Sequence, residues 1–314
     1  MTDDDRMLGE LPPAAIAEYL REIGDPKGAE RFEKAAAQPQ GQGFAASFLG
    51  KDQYAYTGMV VGFIARDAGG PSGIVDANAI DADPDLKNRR IKVTLDQFHV
   101  QSYPGNGKHR ILCEFAGQNQ LIDEAEELKF ALTLEANDGE GAGVSGKPIF
   151  MGLTVGDDGL NFRGQTVHVR SSTDDLVLEA LNGEAFKNGL SLMTTMQPAL
   201  KPFVSLATGV VKAAIKRRGN QRVYKFDIGL DFNKNNLSAR LRRGSYVVVQ
   251  TRDEDWVWSN FEFVSATRTI KRKSDGGPLE LNYFVIGIDD FIGEVPTKVE
   301  AGAHRSPAGS GRKA

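Results

Sequence analysis

The sequence predicts a mainly β protein. The expected architecture is an antiparallel β-sandwich of one or two β units, with a small N-terminal helical hairpin and a helical crossover in the middle. Short segments with apolar residues at every second position recur along the chain, and turn-forming sequences separate them. Glycine accounts for 35 of 314 residues, more than the ~7% typical of globular proteins. The glycines follow no three-residue period, which excludes collagen and indicates many turns.

Residues 1–40 are predicted to form the helical hairpin. Pro12 and Pro13 suit the first turn of a helix, where a missing backbone amide costs nothing. The helix should end near Gly24, and a weaker second helix should end before Pro39. Gln38–Gly43 has the composition of a linker. The first helix is predicted from apolar residues at helical spacing, namely Ile16, Tyr19, Leu20 and Ile23.

Residues 44–171 are predicted to form a first β-rich unit. Residues 67–90 read as a long polar loop, and 103–107 reads as a tight turn. The alternation breaks at Asp96 and Gln97, which predicts a β-bulge. The predicted strands are Tyr56–Arg66, Ile91–Ser102, Arg110–Phe115, Glu127–Ala136, Pro148–Val155, Leu160–Phe162 and Gln165–Arg170.

Residues 172–219 are predicted to form the helical crossover, and 220–296 a second β-rich unit. The crossover ends in an amphipathic helix, whose apolar residues are Leu200, Phe203, Leu206, Val210, Val211, Ala214 and Ile215. The tail 297–314 is predicted to be disordered. The strands predicted in the second unit are Arg222–Phe232, Leu237–Leu241, Ser245–Thr251, Phe261–Lys271 and Leu279–Ile288.

Composition and charge narrow the function classes. The net charge is −4 and the isoelectric point is about 5.7, whereas a nucleic-acid-binding domain commonly exceeds a pI of ~9. The overall charge therefore disfavours a nucleic-acid partner. Cys113 is the single cysteine, so an intramolecular disulfide and a cysteine zinc cluster are excluded. We expect a cytoplasmic location, since the N-terminus is acidic and the sequence contains no run of 18 apolar residues.

The largest charge asymmetry lies between Leu200 and Lys273, where the sequence has 16 cationic and 6 anionic residues. Such a region can bind a protein partner or an anionic membrane surface, with 198–218 as the segment that would insert into lipid. A solvated face and a helix that covers a sheet are the competing interpretations. The candidate binding residues are Lys212, Lys216, Arg217, Arg218, Arg240, Arg242 and Arg243.

Trp256 and Trp258 are candidate aromatic anchors. They are two residues apart and share one face if the segment is a strand. If exposed, they would form a ligand platform, and if buried they would belong to a core, which is the commoner situation of large aromatics. Cys113 lies within a predicted strand and reads as a small core residue.

An acidic loop offers the only metal candidate, a calcium site at Asp81, Asp83 and Asp85. Calcium prefers six to eight oxygen ligands, but Leu86 and Lys92 occupy the EF-hand positions that require glycine and glutamate. A turn-rich solvated loop is the alternative, and no other cofactor is expected.

Enzyme motifs are missing from the sequence. It contains no nucleophile elbow, zinc-protease motif or phosphate-binding loop. Carboxylates on loops, such as Asp253–Asp255 and Asp289–Asp290, leave open a hydrolase whose site is assembled by the fold.

The leading prediction is therefore a non-enzymatic binding or effector module that acts through protein–protein or anionic-surface contacts of its basic C-terminal half. A hydrolase with a carboxylate site assembled from loops and a calcium-regulated β-sandwich binding domain are the alternatives.

Overall fold

The computed structural model describes most of the chain in nine stretches. The linker predicted at 38–43, the start of the crossover at 172–177 and the tail at 297–314 lie outside them. The described residues are 6–37, 52–66, 71–120, 125–170, 178–191, 197–217, 219–233, 238–252 and 256–293.

The helices of the described residues include the predicted N-terminal pair. Both members of the pair have proline in the first turn, and the Asp25 carboxylate caps the second by accepting a hydrogen bond from the Gly28 N–H at 2.9 Å. The long helix of the predicted crossover is also present. The α-helices are α1 (Pro13–Glu22), α2 (Pro26–Ala36), α3 (Glu184–Asn188) and α4 (Gln197–Ile215).

Strands dominate the fold, as the alternating pattern predicts. They are β1 (Gly58–Ala65), β2 (Pro71–Gly73), β3 (Val75–Asp76), β4 (Arg90–Val100), β5 (His109–Gln120), β6 (Ala125–Ala136), β7 (Glu140–Gly141), β8 (Lys147–Thr154), β9 (Gly159–His168), β10 (Leu190–Ser191), β11 (Gln221–Asp231), β12 (Ala239–Arg240), β13 (Gly244–Thr251), β14 (Phe261–Val264), β15 (Thr269–Arg272) and β16 (Tyr283–Asp290).

The strands form two large sheets and one small one. Sheet 1 has the order β10-β8-β4-β16-β13-β1-β3, with β7 also paired to β4, and sheet 2 has the order β12-β11-β9-β5-β6. Sheet 3 consists of β15-β14-β2. Pairing is antiparallel except between β10 and β8 and between β11 and β12. Strands from 44–171 and 220–296 pair within each sheet, so the two predicted segments build one sandwich together.

The main core lies between sheets 1 and 2. Phe284 of β16 stacks on Phe98 of β4 with ring centroids 4.1 Å apart. Its ring also meets Phe115 of β5 at 6.0 Å and Phe226 of β11 at 5.5 Å. Phe284 therefore joins the two sheets through aromatic packing, a large contribution to core stability.

The strand β13 is apolar on both faces because sheet 1 is covered on both sides. Tyr246 and Val248 face the main core, whereas Val247 and Val249 belong to a second apolar cluster. Residues of sheet 3, such as Ile270 and Phe263, contribute to that second cluster. Sheet 3 is thus a third layer on the outer face of sheet 1, and the continuous apolar run of β13 follows from double burial.

Several segments differ from the sequence predictions, among them β10 within the predicted helical crossover. The long polar loop at 67–90 includes the short strands β2 and β3. The two strands predicted between Leu160 and Arg170 are the single strand β9, in which Gly164 leaves room for the Phe226 ring. The strand predicted at Phe261–Lys271 is a hairpin, since Arg268 has a φ of +54° between β14 and β15.

The predicted bulge is confirmed. Val285 pairs with Gln97 and Ile286 pairs with Leu95, so Asp96 is the extra, unpaired residue of β4. Among the described helices, none is both long enough and apolar enough to cross a bilayer.

Candidate functional site

The amphipathic helix α4 covers part of the outer face of sheet 2. Alternation along β5 places Phe115 in the main core, so Leu112 faces outward, yet Leu112 is fully buried. Helix α4 contacts β5, β6 and β9. It contributes Ala207, Val210, Val211 and Ala214 to the same core. The apolar side of the helix is therefore occupied by the sheet, as expected for a helix that covers a sheet.

The cations of α4 point away from the sheet. Lys201 and Lys212 on the helix are exposed, and so are Lys216 and Arg217 directly after it. Arg218 lies outside the described residues. No acidic residue occurs between Glu184 and Asp227, and this stretch carries eight cations: Lys187, Lys201, Lys212, Lys216, Arg217, Arg218, Arg222 and Lys225. The helix therefore presents a surface of one charge sign.

Three other predicted binding residues lie elsewhere. Arg240 is paired with Asp231, the last residue of β11, whereas α4 ends next to the first residue of that strand. An 11-residue strand at ~3.3 Å per residue separates the two regions by roughly 30 Å. The buried Arg240 forms an ion pair with the partly buried Asp231, with Nη1 3.1 Å from Oδ1. The predicted basic residues are thus divided between two ends of sheet 2.

Arg242 and Arg243 contact the acidic loop that the sequence suggested for calcium. The Arg243 guanidinium forms ion pairs with Asp83 at 3.3 Å and Asp290 at 2.8 Å. The Arg242 guanidinium donates to the Asp81 carbonyl oxygen. In the part of the chain that the structure describes, no three His, Cys, Asp or Glu side chains are grouped as metal ligands. Arg242 and Arg243 therefore contact two of the residues that were predicted as calcium ligands, Asp81 and Asp83.

Among the described residues, the other carboxylate candidates do not come together as a site for the hydrolase alternative. Asp253–Asp255 lies outside the described residues. Asp289 is ion-paired with Arg66, and Asp76 accepts a hydrogen bond from the Asn78 N–H within a turn. This arrangement is typical of turns, in which Asp caps its own backbone.

Trp256 and Trp258 lie in the second apolar cluster, under sheet 3. Trp258 is 5% exposed, and Trp256 is half-buried. The two rings meet edge to face at 5.2 Å, and Trp256 stacks on Phe261 at 4.8 Å. Gly62 leaves room for the Trp258 ring, since a Cβ there would lie 2.8 Å from it. The pair is mainly core, on the side of the sandwich opposite α4.

The part of sheet 2 that α4 leaves open contains a charged hollow around Ala116. In register across the strands, Ala116 pairs with Arg163 on β9 and with Lys129 on β6. The small side chain of Ala116 between these long ones leaves a cavity of about 300 Å³. We call this cavity the Ala116 hollow, and it is lined by Glu114, Ala116, Glu127, Lys129, Arg163, Gly164, Gln165, Arg222 and Lys225.

A hydrogen-bonded relay forms one wall of the Ala116 hollow. Arg222 Nε donates to Gln165 Oε1 at 2.6 Å, and Gln165 Nε2 donates to Glu114 Oε2. Glu114 is 7% exposed. Burial raises the pKa of Glu114, against the opposing effects of the Gln165 hydrogen bond and the nearby Lys129 and Arg222 charges. The relay keeps a buried carboxylate and a buried guanidinium satisfied at the edge of the hollow.

Side chains of both charge signs line the Ala116 hollow. Four cations and two carboxylates line it, and Glu127 is ion-paired with Arg163 and Lys129. The single thiol, Cys113, is fully buried, and burial raises its pKa, so it is a core residue as predicted. The hollow could not be predicted from the sequence because its residues come from four strands. The available signal was the polar residues at alternate positions, namely Asn161, Arg163 and Gln165 on β9 and Lys225 and Asp227 on β11.

The chain was also compared with known proteins. No protein-family model matches this chain, and no curated protein or solved structure is significantly similar to it.

Proposed function

We propose that this protein is a non-enzymatic binding module that engages an acidic segment of a partner protein through α4 and the adjoining open face of sheet 2. The observation that supports the proposal most strongly is the acid-free stretch between Glu184 and Asp227, which carries eight cations in a chain of net charge −4. Its cations on α4 are exposed, on a helix fixed in place by its apolar side.

The spacing of the helix cations favours a carboxylate-bearing partner. Lys212 on α4 and Lys216 directly after it are four residues apart, and the Lys216 N–H donates to the Lys212 carbonyl oxygen at 3.2 Å. This turn places their Cβ atoms roughly 6 Å apart on one side. Like charges at this spacing destabilise a helix by a few tenths of a kcal/mol. A partner segment with several Asp or Glu residues would relieve this repulsion. The positive charge of the lysines would also attract such a segment to the surface.

A protein partner fits this surface better than a membrane. An interfacial helix needs its apolar side free to enter the lipid, and Val210, Val211 and Ala214 of α4 are buried against sheet 2. Among the described side chains of α4, Phe203 is the exposed large apolar residue, at 36%. A membrane surface would therefore contact lysines with little insertion.

We also propose a reducing, cytoplasmic location, since the chain carries one cysteine.

The Ala116 hollow extends the proposed surface. Lys225 and Arg163 line it, and Arg222 at its edge belongs to the same acid-free stretch as α4. In the proposed complex, a glutamate side chain of the partner binds Lys225 in the hollow while the rest of the segment lies along α4. This gives the surface a concave element, which a flat cationic helix lacks.

The test is the binding of a fluorescein-labelled polyglutamate peptide, followed by fluorescence anisotropy at low and physiological salt. We expect Lys212→Glu with Lys216→Glu to weaken binding about tenfold or more, equivalent to at least ~1.4 kcal/mol. The matched control is Lys27→Glu with Lys273→Glu, exposed lysines elsewhere on the molecule, which changes the net charge equally.

Three results would contradict the proposal. The first is no binding by the wild type, the second is equal weakening in both double variants, and the third is a stronger response to phosphatidylserine vesicles than to the peptide. The third would assign the surface to lipid.

A further inference from the structure

A second cleft lies on the opposite side of the sandwich, where the outer face of sheet 1 meets sheet 3. It has a volume of about 360 Å³, near the lower end of the ~300–1,000 Å³ typical of small-molecule sites. Strands β1, β4, β13 and β16 form its floor, and Phe263 and Ser265 at the end of β14 form a wall. Asp96, the bulge residue of β4, lines this cleft. Bulges are enriched beside functional sites because they redirect a side chain.

The carboxylate of Asp96 lies directly over Gly287. Thr94, Gly287 and Ser245 form one row across β4, β16 and β13. A Cβ at residue 287 would lie 2.6 Å from Asp96 Oδ2 and 2.5 Å from Thr94 Oγ1. The position therefore needs glycine for the carboxylate to occupy this space.

Two hydroxyl groups hold the carboxylate from either side. Thr94 Oγ1 donates to Asp96 Oδ1 at 2.7 Å, and Ser245 Oγ donates to Asp96 Oδ2 at 3.3 Å. A carboxylate has about four acceptor positions. The two hydroxyls use two of them, so Asp96 retains acceptor capacity for donors that enter the cleft.

The charges around the cleft disfavour an ionic ligand of either sign. Arg66 and Lys92 line it and would repel a cation, whereas Asp96 and Asp289 would repel an anion. Arg66 and Asp289 also form an ion pair at 2.6 Å, which neutralises both at the rim. The remaining lining is mostly hydroxyl groups, glycines and one aromatic ring: Ser72, Thr94, Gly146, Gly244, Ser245, Phe263, Ser265 and Gly287.

We propose that this cleft binds a neutral saccharide. The sugar hydroxyls donate to the free acceptor positions of Asp96 and exchange hydrogen bonds with the serine hydroxyls, which both donate and accept. The apolar face of the sugar ring packs against Phe263. This site is separate from the surface around α4, and its occupancy does not depend on the function proposed there.

The test is a titration of the isotope-labelled protein with glucose, galactose, mannose and N-acetylglucosamine, each into the millimolar range. We expect at least one sugar to shift the amide signals of residues 94–96, 245 and 287. Asp96→Asn should weaken that binding about tenfold or more. The substitution retains an acceptor for Thr94 and gives Ser245 a donor, so the fold is kept. Phe263→Leu, which preserves apolar bulk, should weaken binding as well.

Glu114→Gln is the matched control, because it neutralises a buried carboxylate on the other side of the sandwich and should leave sugar binding unchanged. Inorganic phosphate and spermidine serve as anionic and cationic probes. The proposal is overturned if none of the four sugars shifts signals in the cleft. It is equally overturned if Asp96→Asn binds as the wild type does, or if phosphate or spermidine binds there in preference to the sugars.

Discussion

The Tyr19 hydroxyl and His168 Nδ1 are 2.6 Å apart, in a hydrogen bond that joins helix α1 to the end of strand β9. The two rings also meet edge to face, with centroids 6.2 Å apart. His168 is 7% exposed, and burial lowers its pKa to about 4, with smaller contributions from His109 and Arg170. The N-terminal helix pair is therefore docked against a histidine that stays neutral at physiological pH.

This contact predicts acid sensitivity. In the unfolded chain the histidine has a pKa near 6.5. Below that pH, His168 is protonated in the unfolded chain but stays neutral in the folded protein, so protonation favours unfolding. The stabilisation is complete above pH ~6.5 and is lost progressively as the pH falls toward 4, by up to about 3 kcal/mol. Urea unfolding at pH 7.5 and pH 4.5 should show a smaller loss of stability in His168→Gln than in the wild type. Equal losses in the two proteins would rule out His168 as the source.

The ion pair between Arg31 and Asp52 predicts that replacing the partly exposed Arg31 will lower the stability of the fold considerably. Asp52 is 1% exposed, and Arg31 donates to both of its oxygens, one of them at 2.8 Å. Because Arg31→Ala leaves a buried carboxylate without its partner, it should lower the free energy of unfolding by about 2–4 kcal/mol. Lys34→Ala, which removes the exposed i,i+4 pair with Glu30, should cost no more than about 0.5 kcal/mol. Equal effects in denaturant unfolding would contradict this assignment.

Phe284 should be among the most sensitive core positions. Its ring packs against Phe98, Phe115 and Phe226 from both large sheets. Phe284→Ala should lower the free energy of unfolding by about 3–5 kcal/mol through lost burial and a residual cavity. Phe203→Ala on α4 should cost less, about 1–2 kcal/mol, because the Phe203 ring is 36% exposed and meets the Phe186 ring edge to face at 6.2 Å. A small loss at Phe284 would mean that the sheets do not pack through this ring.

Two glycines on neighbouring strands should respond oppositely to alanine. A Cβ at Gly164 would lie 2.2 Å from the Phe226 ring, whereas a Cβ at Gly229 would meet nothing within 4 Å. Gly164→Ala should cost about 1–3 kcal/mol because the core is already filled. Gly229→Ala should be neutral or stabilising by up to about 1 kcal/mol. Thermal unfolding of the two variants checks the pair, and a tolerated Gly164→Ala would refute the packing against Phe226.

Local patterns in the sequence predict most elements of the fold. Ile16 and Leu20 at helical spacing predict α1, and the alternation of Tyr224, Phe226, Ile228 and Leu230 predicts β11. Sheet 3 could not be predicted as a separate layer, since the double burial of Val247 and Val249 depends on segments far away in the chain. The short strands β2 and β3 show no alternation of apolar and polar residues. Backbone pairing holds them in place, β2 to β14 and β3 to β1.

The candidate sites were less predictable than the fold. Counting charges locates the lysines of α4, but it cannot show that Arg240 and Arg243 are paired with Asp231, Asp83 and Asp290. Those partners lie up to 160 residues away along the chain. The bulge at Asp96 is visible in the sequence as a break in alternation. Its position over Gly287 depends on the register between β4 and β16, which sequence alone does not specify.

The central claim is that α4 and the open face of sheet 2 bind an acidic protein segment. Its most direct test is a backbone amide chemical-shift titration of the protein with unlabelled polyglutamate peptide. We expect shifts concentrated at residues 201–217 and around Arg163 and Lys225, and these shifts should diminish as salt is added. Shifts concentrated instead at the sheet 3 cations around Lys271–Lys273, or no shifts at all, would contradict it.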